Sequence, residues 1–111
     1  MRNPSAGKSV INVPMLIDTG ADITLIPRIL LPTLGVTDAS LKTADYVLVG
    51  FDGTRTPAYL VSLEIEFLDQ KMPGDYSLTD DTVGVLGRDV LNRFRLVFDG
   101  PRLTWEEAKS P

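Results

Sequence analysis

The chain has 111 residues, enough for one domain with one core. Hydrophobic residues make up 43% and charged residues 23%, an ordinary globular balance. With 11 basic against 15 acidic side chains the formal charge is −4, a balance that argues against a general nucleic-acid binder, which would need a basic face to replace condensed counterions. The absence of Cys excludes disulfides, thiolate metal sites and cysteine nucleophiles, and the absence of His excludes imidazole chemistry. Carboxylates and water remain as catalytic tools; no metal and no cofactor is expected.

Positions 1–9 are polar and lack the apolar core of a signal peptide, so they read as a flexible N-terminal segment or a domain boundary, with one domain over 10–111. No stretch approaches the roughly 20 apolar residues of a membrane helix, and no direct membrane contact is expected. Localisation stays open, because a chain without Cys suits any redox compartment. Abundant Val, Ile and Thr favour strands, and 9 Gly and 8 Pro punctuate the chain throughout. Strands are expected over Val10–Ile17 and Ile23–Ile26, then a Pro-bounded stretch, Pro27–Gly35, with room for one helical turn. Ala44–Val49 and Arg55–Phe67 face each other as a hairpin across Gly50-Phe51-Asp52-Gly53, since Gly accepts the positive φ of such a turn. Leu63, Ile65 and Phe67 alternate with Glu64 and Glu66, a half-buried strand with a wet face. Asp69–Asp81 carries Pro73-Gly74 and reads as a long loop. Val83–Leu86 is a short strand, Arg88–Phe94 the one helix, and Arg95–Phe98 with Arg102–Trp105 a closing hairpin. Many short strands with turn signals specify a small all-β barrel or sandwich.

Three short motifs fail on their context. Gly7-Lys8-Ser9 ends like a phosphate-binding loop, but position 2 is Arg where a Gly is needed, and a β-type run follows. Asp52-Gly53-Thr54 resembles a phosphatase tail whose nucleophilic Asp would fall on Gly50. Asp80-Asp81 lacks a third oxygen ligand and reads as a solvated loop or cap.

Leu16-Ile17-Asp18-Thr19-Gly20-Ala21-Asp22 differs in kind. A carboxylate stands where one core strand breaks and another, Ile23-Thr24-Leu25-Ile26, returns inside. A surface turn would also use Asp and Gly, yet an acid between core strands is costly unless hydrogen-bonded or functional. Near the C-terminus stands Val85-Leu86-Gly87-Arg88-Asp89-Val90-Leu91: apolar pair, Gly, Arg, helix start.

This order of Asp-Thr-Gly-Ala loop, Gly-containing hairpin, apolar-apolar-Gly-Arg and short helix resembles the retropepsin-like aspartic proteases, over about Val10 to Trp105. The resemblance implies a small closed β-barrel-like fold with one short C-terminal helix, active as a two-fold homodimer on a peptide or protein substrate. Asp18 would be the catalytic carboxylate, Thr19 would bond across to the partner's loop, and Gly20 would offer backbone to substrate. Asp22 would meet substrate backbone and pair with Arg88. Gly50, Phe51, Asp52 and Gly53 would form a flap tip over bound peptide. Leu25 and Val85 would line apolar subsites, with Ala21, Gly87 and Arg88 as structural support. Ala21 offers no hydroxyl to the carboxylate, so the shared proton of an Asp18 pair is expected to persist to higher pH. The chain departs from viral relatives in its bulkier, acidic flap tip and in lacking a recognisable terminal interface. Only one such Asp loop is present, because Asp81-Thr82 is followed by Val83. Two other readings stay open: a non-catalytic dimerisation or peptide-binding module of the same fold, and a monomeric β-barrel binding protein in which Asp18 makes a turn.

Overall fold

A computed structural model describes residues 1–50 and 52–108. Ten strands are present among them: β1 (Arg2–Asn3), β2 (Lys8–Ser9), β3 (Met15–Ile17), β4 (Leu25–Pro27), β5 (Lys42–Val49), β6 (Arg55–Phe67), β7 (Gln70–Thr79), β8 (Gly84–Leu86), β9 (Leu96–Asp99) and β10 (Thr104–Glu107). One helical turn, α1, covers Arg88–Leu91, and short 3₁₀ turns cover Arg28–Leu30 and Asp38–Ser40. The all-β expectation holds. The first eight strands form one sheet in the order β2-β1-β6-β7-β4-β8-β3, with β5 on β6, curled into a half-barrel; β9 and β10 form a separate two-stranded sheet.

The core follows from alternation on the two longest strands. Val61, Leu63 and Ile65 of β6 and Met72, Tyr76 and Leu78 of β7 point inward and are buried, closed over by Ile26, Leu34, Leu86 and Val90. Glu66 stays on the wet face, as its period-2 position requires.

Four expectations need correction. The Asp69–Asp81 stretch is mostly strand: β7 pairs with β6 from Gln70 to Ser77. Pro73 is tolerated because β4 joins β7 only at Ser77–Thr79, leaving Pro73 paired with Glu64 on one side alone. The flexible stretch 1–9 is instead a hairpin. Its β1 pairs with Glu64 of β6, and the buried Asn3 amide donates to the Leu34 carbonyl at 2.7 Å. The first expected strand, Val10–Ile17, shrinks to Met15–Ile17, with Asn12 at positive φ before it and Pro14 interrupting the run. The helix stops at Leu91 rather than Phe94; its buried residues, Val90 and Leu91, supply its one apolar contact with the core.

The Asn3 amide is the polar anchor of the N-terminal hairpin. Asn3→Ala strands the buried Leu34 carbonyl and is expected to lower stability by about 1–3 kcal/mol in urea unfolding. An unchanged midpoint would mean that the hairpin is not held by this bond.

Candidate active site

β8 runs between β3 and β4, parallel to the first and antiparallel to the second. This threading delivers the Asp18 loop, which leaves the end of β3, to the same place as the Gly87-Arg88 segment that leaves β8. The two are joined by a ladder of backbone bonds. The Asp18 N–H donates to the Leu86 carbonyl (3.1 Å), and the Arg88 N–H donates to the Ala21 carbonyl (2.8 Å). Gly87 has an extended backbone; its need for glycine is steric, because a Cβ there would overlap the backbone of Ile23.

Thr24 completes the join from within. Its side chain is fully buried, accepts the Gly87 N–H at 3.0 Å and donates to Asp89 Oδ1 at 2.6 Å. The Thr24 N–H donates to the other Asp89 oxygen at 3.1 Å, while Asp89 Oδ1 also accepts the Val90 N–H at 2.9 Å, holding the first turn of α1. One carboxylate therefore fixes both the strand after the Asp18 loop and the helix after β8. The sequence reading missed this pair. The available signal was Thr24 itself, a hydroxyl in the apolar run Ile23-Thr24-Leu25-Ile26, on the same inward face as Ile26.

Asp18 sits at the end of this frame, half-buried, with Oδ1 accepting the Gly20 N–H at 2.9 Å. The loop closes with the Ala21 N–H on the Asp18 carbonyl (3.2 Å). Ala21 is half-buried; Thr19 and Gly20 are exposed, and the Thr19 hydroxyl has no hydrogen-bond partner among the described residues. Asp22 and Arg88 form the expected ion pair, both side chains substantially exposed. In that setting the pair contributes little to stability, about 0–1 kcal/mol.

Leu25 and Val85, both half-buried, are register partners across β4 and β8. Leu25 also lines a cleft of about 240 Å³ with Leu48, Val49, Gly50, Pro57 and Tyr59, so the hairpin base and the strand after the Asp18 loop share one groove. Arg28 and Asp80 rim it as an exposed ion pair at 3.1 Å. At the hairpin tip the Gly53 N–H donates to the Gly50 carbonyl (3.0 Å), and Gly53 takes φ +82°, a conformation that favours glycine. The expected flap residue Phe51 lies outside the described residues. No hydrogen bond or ion pair among the described residues joins the tip to the Asp18 loop. Below the tip, Tyr46 reaches from the bulged arm β5 to the buried Ser77 of β7, oxygen to oxygen 2.6 Å, another contact the sequence reading did not foresee.

Asp52 accepts the Thr54 N–H at 2.9 Å, and hydrogen bonds first from the Thr54 backbone and then from its side chain hold the Asp52 carboxyl below the usual aspartate range. The tip thus keeps its negative charge in mild acid. Among the described residues no cluster of acidic side chains is placed to hold a metal ion, and no helix is long and apolar enough to cross a membrane. Comparison with protein-family models, with curated proteins and with solved structures returned no match.

Two outcomes follow. Thr24→Val keeps the shape but leaves the Gly87 N–H and Asp89 without their shared partner, and is expected to lower stability by about 1–3 kcal/mol in denaturant titration. The depressed Asp52 value means that its turn contact is present above the ordinary aspartate range and is lost as pH falls through the lower folded value. A carboxyl NMR titration should give Asp52 a midpoint below that of a free aspartate; a midpoint at the free value would contradict the turn geometry.

Proposed function

We propose that this chain is an aspartic endopeptidase of the retropepsin-like kind, hydrolysing peptide bonds as a homodimer. The observation that carries the reading is the frame around Asp18. Two motifs about 70 positions apart in the chain are stitched together so that one half-buried carboxylate stands at their junction, beside an exposed Thr19 hydroxyl. Among the described residues no ionisable side chain is hydrogen-bonded or ion-paired to Asp18, so a hydrolytic pair needs a second carboxylate from elsewhere. A second copy related by two-fold symmetry supplies the missing carboxylate.

In the dimer the two Asp18 carboxylates share one proton across a bound water, because like charges in contact resist ionising together. The ionised member removes a proton from the water as its oxygen bonds to the amide carbon, and the protonated member donates to the carbonyl oxygen. Collapse of the tetrahedral species returns a proton to the amide nitrogen and breaks the C–N bond. Thr19 bonds across to the partner's loop. Gly20 and Asp22 meet the substrate backbone, and Leu25 and Val85 line apolar subsites. The hairpin tip, Gly50 and Gly53 with Asp52, folds over the peptide. No covalent intermediate is required, in keeping with a chain that has neither Cys nor His.

The test is Asp18→Asn assayed against a mixed peptide library. Cleavage is expected to fall by at least about 10²–10⁴-fold, the usual contribution of general acid/base catalysis, with folding and sedimentation unchanged. Full cleavage by the Asn variant would remove Asp18 from the chemistry. Dimerisation without any cleavage by the parent chain would favour a binding module instead.

A further inference from the structure

We propose that the cleft between the hairpin base and the end of β7 is a subsite for a basic side chain, so that the peptides this chain takes carry Lys or Arg at one position in the groove. The inference rests on the endopeptidase reading above and names the substrate class of that site.

The strand register builds the cleft. β4 and β7 run parallel, with Pro27 opposite Thr79 at their ends. The next residue on each strand is charged, so Arg28 and Asp80 come side by side, Nε to Oδ1 at 3.1 Å. Beside this rim the lining is apolar at Leu25, Leu48, Val49 and Leu78. The cleft measures about 240 Å³. That is below the roughly 300–1,000 Å³ of a pocket for a whole small molecule, and suits one long side chain. Apolar walls with a charged rim match a hydrocarbon stem that ends in an ionic tip, the stem buried and the head left at the water. Such a subsite departs from the purely apolar one that the resemblance attaches to Leu25.

Three observations decide the sign of the tip. The Asp80 side chain is 91% exposed, and among the described residues nothing donates to its Oδ2, so a cation can bind there while Arg28 keeps Oδ1. Tyr59, 41% exposed, lines the same cleft. The face of an aromatic ring carries negative potential, which attracts cations and disfavours anions. The surrounding charge is acidic: Asp81 follows Asp80, Asp52 at the hairpin tip stays ionised in mild acid, and the chain as a whole carries −4. An acidic side chain would meet Asp80 and the tyrosine ring, with only the already engaged Arg28 in its favour. Asp80 and Asp81, which read from the sequence as a solvated loop or cap, therefore differ: Asp80 lines the cleft and Asp81 does not.

Binding and cleavage are read separately. Labelled peptides that differ at one position at a time, carrying Lys, Arg, Leu or Glu there, are titrated against the Asp18→Asn chain by fluorescence anisotropy. The same set is offered to the parent chain for cleavage. At one position, Lys and Arg peptides are expected to bind and be cleaved at least about fivefold better than Leu or Glu peptides. Asp80→Asn should remove most of that preference, and Asp80→Arg should turn it toward Glu. Asp81→Asn, one residue outside the cleft, should leave it within about twofold, as for an exposed charge that makes no contact. Tyr59→Leu keeps the wall apolar and should lower the preference in part. Cleavage by the parent with no preference for Lys or Arg, or with a preference untouched by Asp80→Asn, overturns the subsite and leaves the protease reading standing. Preferential binding that depends on Asp80, with no cleavage by the parent, keeps the subsite and overturns the protease reading. Equal losses in Asp80→Asn and Asp81→Asn would trace the effect to the general acidity of the chain and overturn the subsite. Neither binding nor cleavage of any peptide overturns both.

Discussion

The close approach of β8 to the backbone of Ile23, made possible by Gly87, is the constraint on which the rest of the site depends. Any Cβ at that position would push the two segments apart. With the gap closed, the Gly87 N–H reaches the buried Thr24 hydroxyl, and Asp89 holds Thr24 from the other side. Buried polar groups are costly unless every one is bonded, and no buried side-chain polar atom among the described residues lacks a partner. The chain thus uses a fully satisfied polar cluster, rather than apolar packing alone, to fix the loop that carries Asp18.

That arrangement accounts for the division of labour among the acids. Asp89 is consumed by structure, Asp22 by its exposed pairing with Arg88, and Asp52 by the hairpin turn. Asp18 commits one oxygen to its own loop and stands beside the Gly87-Arg88 segment. In the proposed reading, this half-buried carboxylate is one half of a hydrolytic pair.

Much of this was legible in the residues. The alternation of Leu63, Ile65 and Phe67 placed β6, and the Asp52-Gly53 turn placed the hairpin between β5 and β6. The Asp18 loop, the Gly87-Arg88 segment and the Asp22–Arg88 pair are where the two motifs put them. β7 was hidden because Pro73-Gly74 signals a loop, whereas Tyr76 folds back so that its ring covers Gly74 and its hydroxyl bonds the Met72 carbonyl. The turn between β6 and β7 was hidden too: Leu68 and Asp69 both adopt positive φ, a conformation usually marked by Asn or Gly. Thr24 and Asp89 are 65 positions apart, and no local pattern couples residues at that separation. The N-terminal hairpin escaped notice because the contacts that hold it, the pairing of β1 with β6 and the bond from Asn3 to Leu34, are tertiary.

The account requires that neither copy works alone, and a mixing experiment addresses that requirement most directly. Parent chain is held constant while increasing amounts of an Asp18→Asn chain are added, and peptide cleavage is followed after subunit exchange. Shared chemistry predicts that activity declines as mixed dimers, each with one carboxylate missing, take up the parent chains. Activity that stays constant through a large excess of the Asn chain, with mixed dimers demonstrably formed, would mean that each copy carries a complete site and would contradict the account.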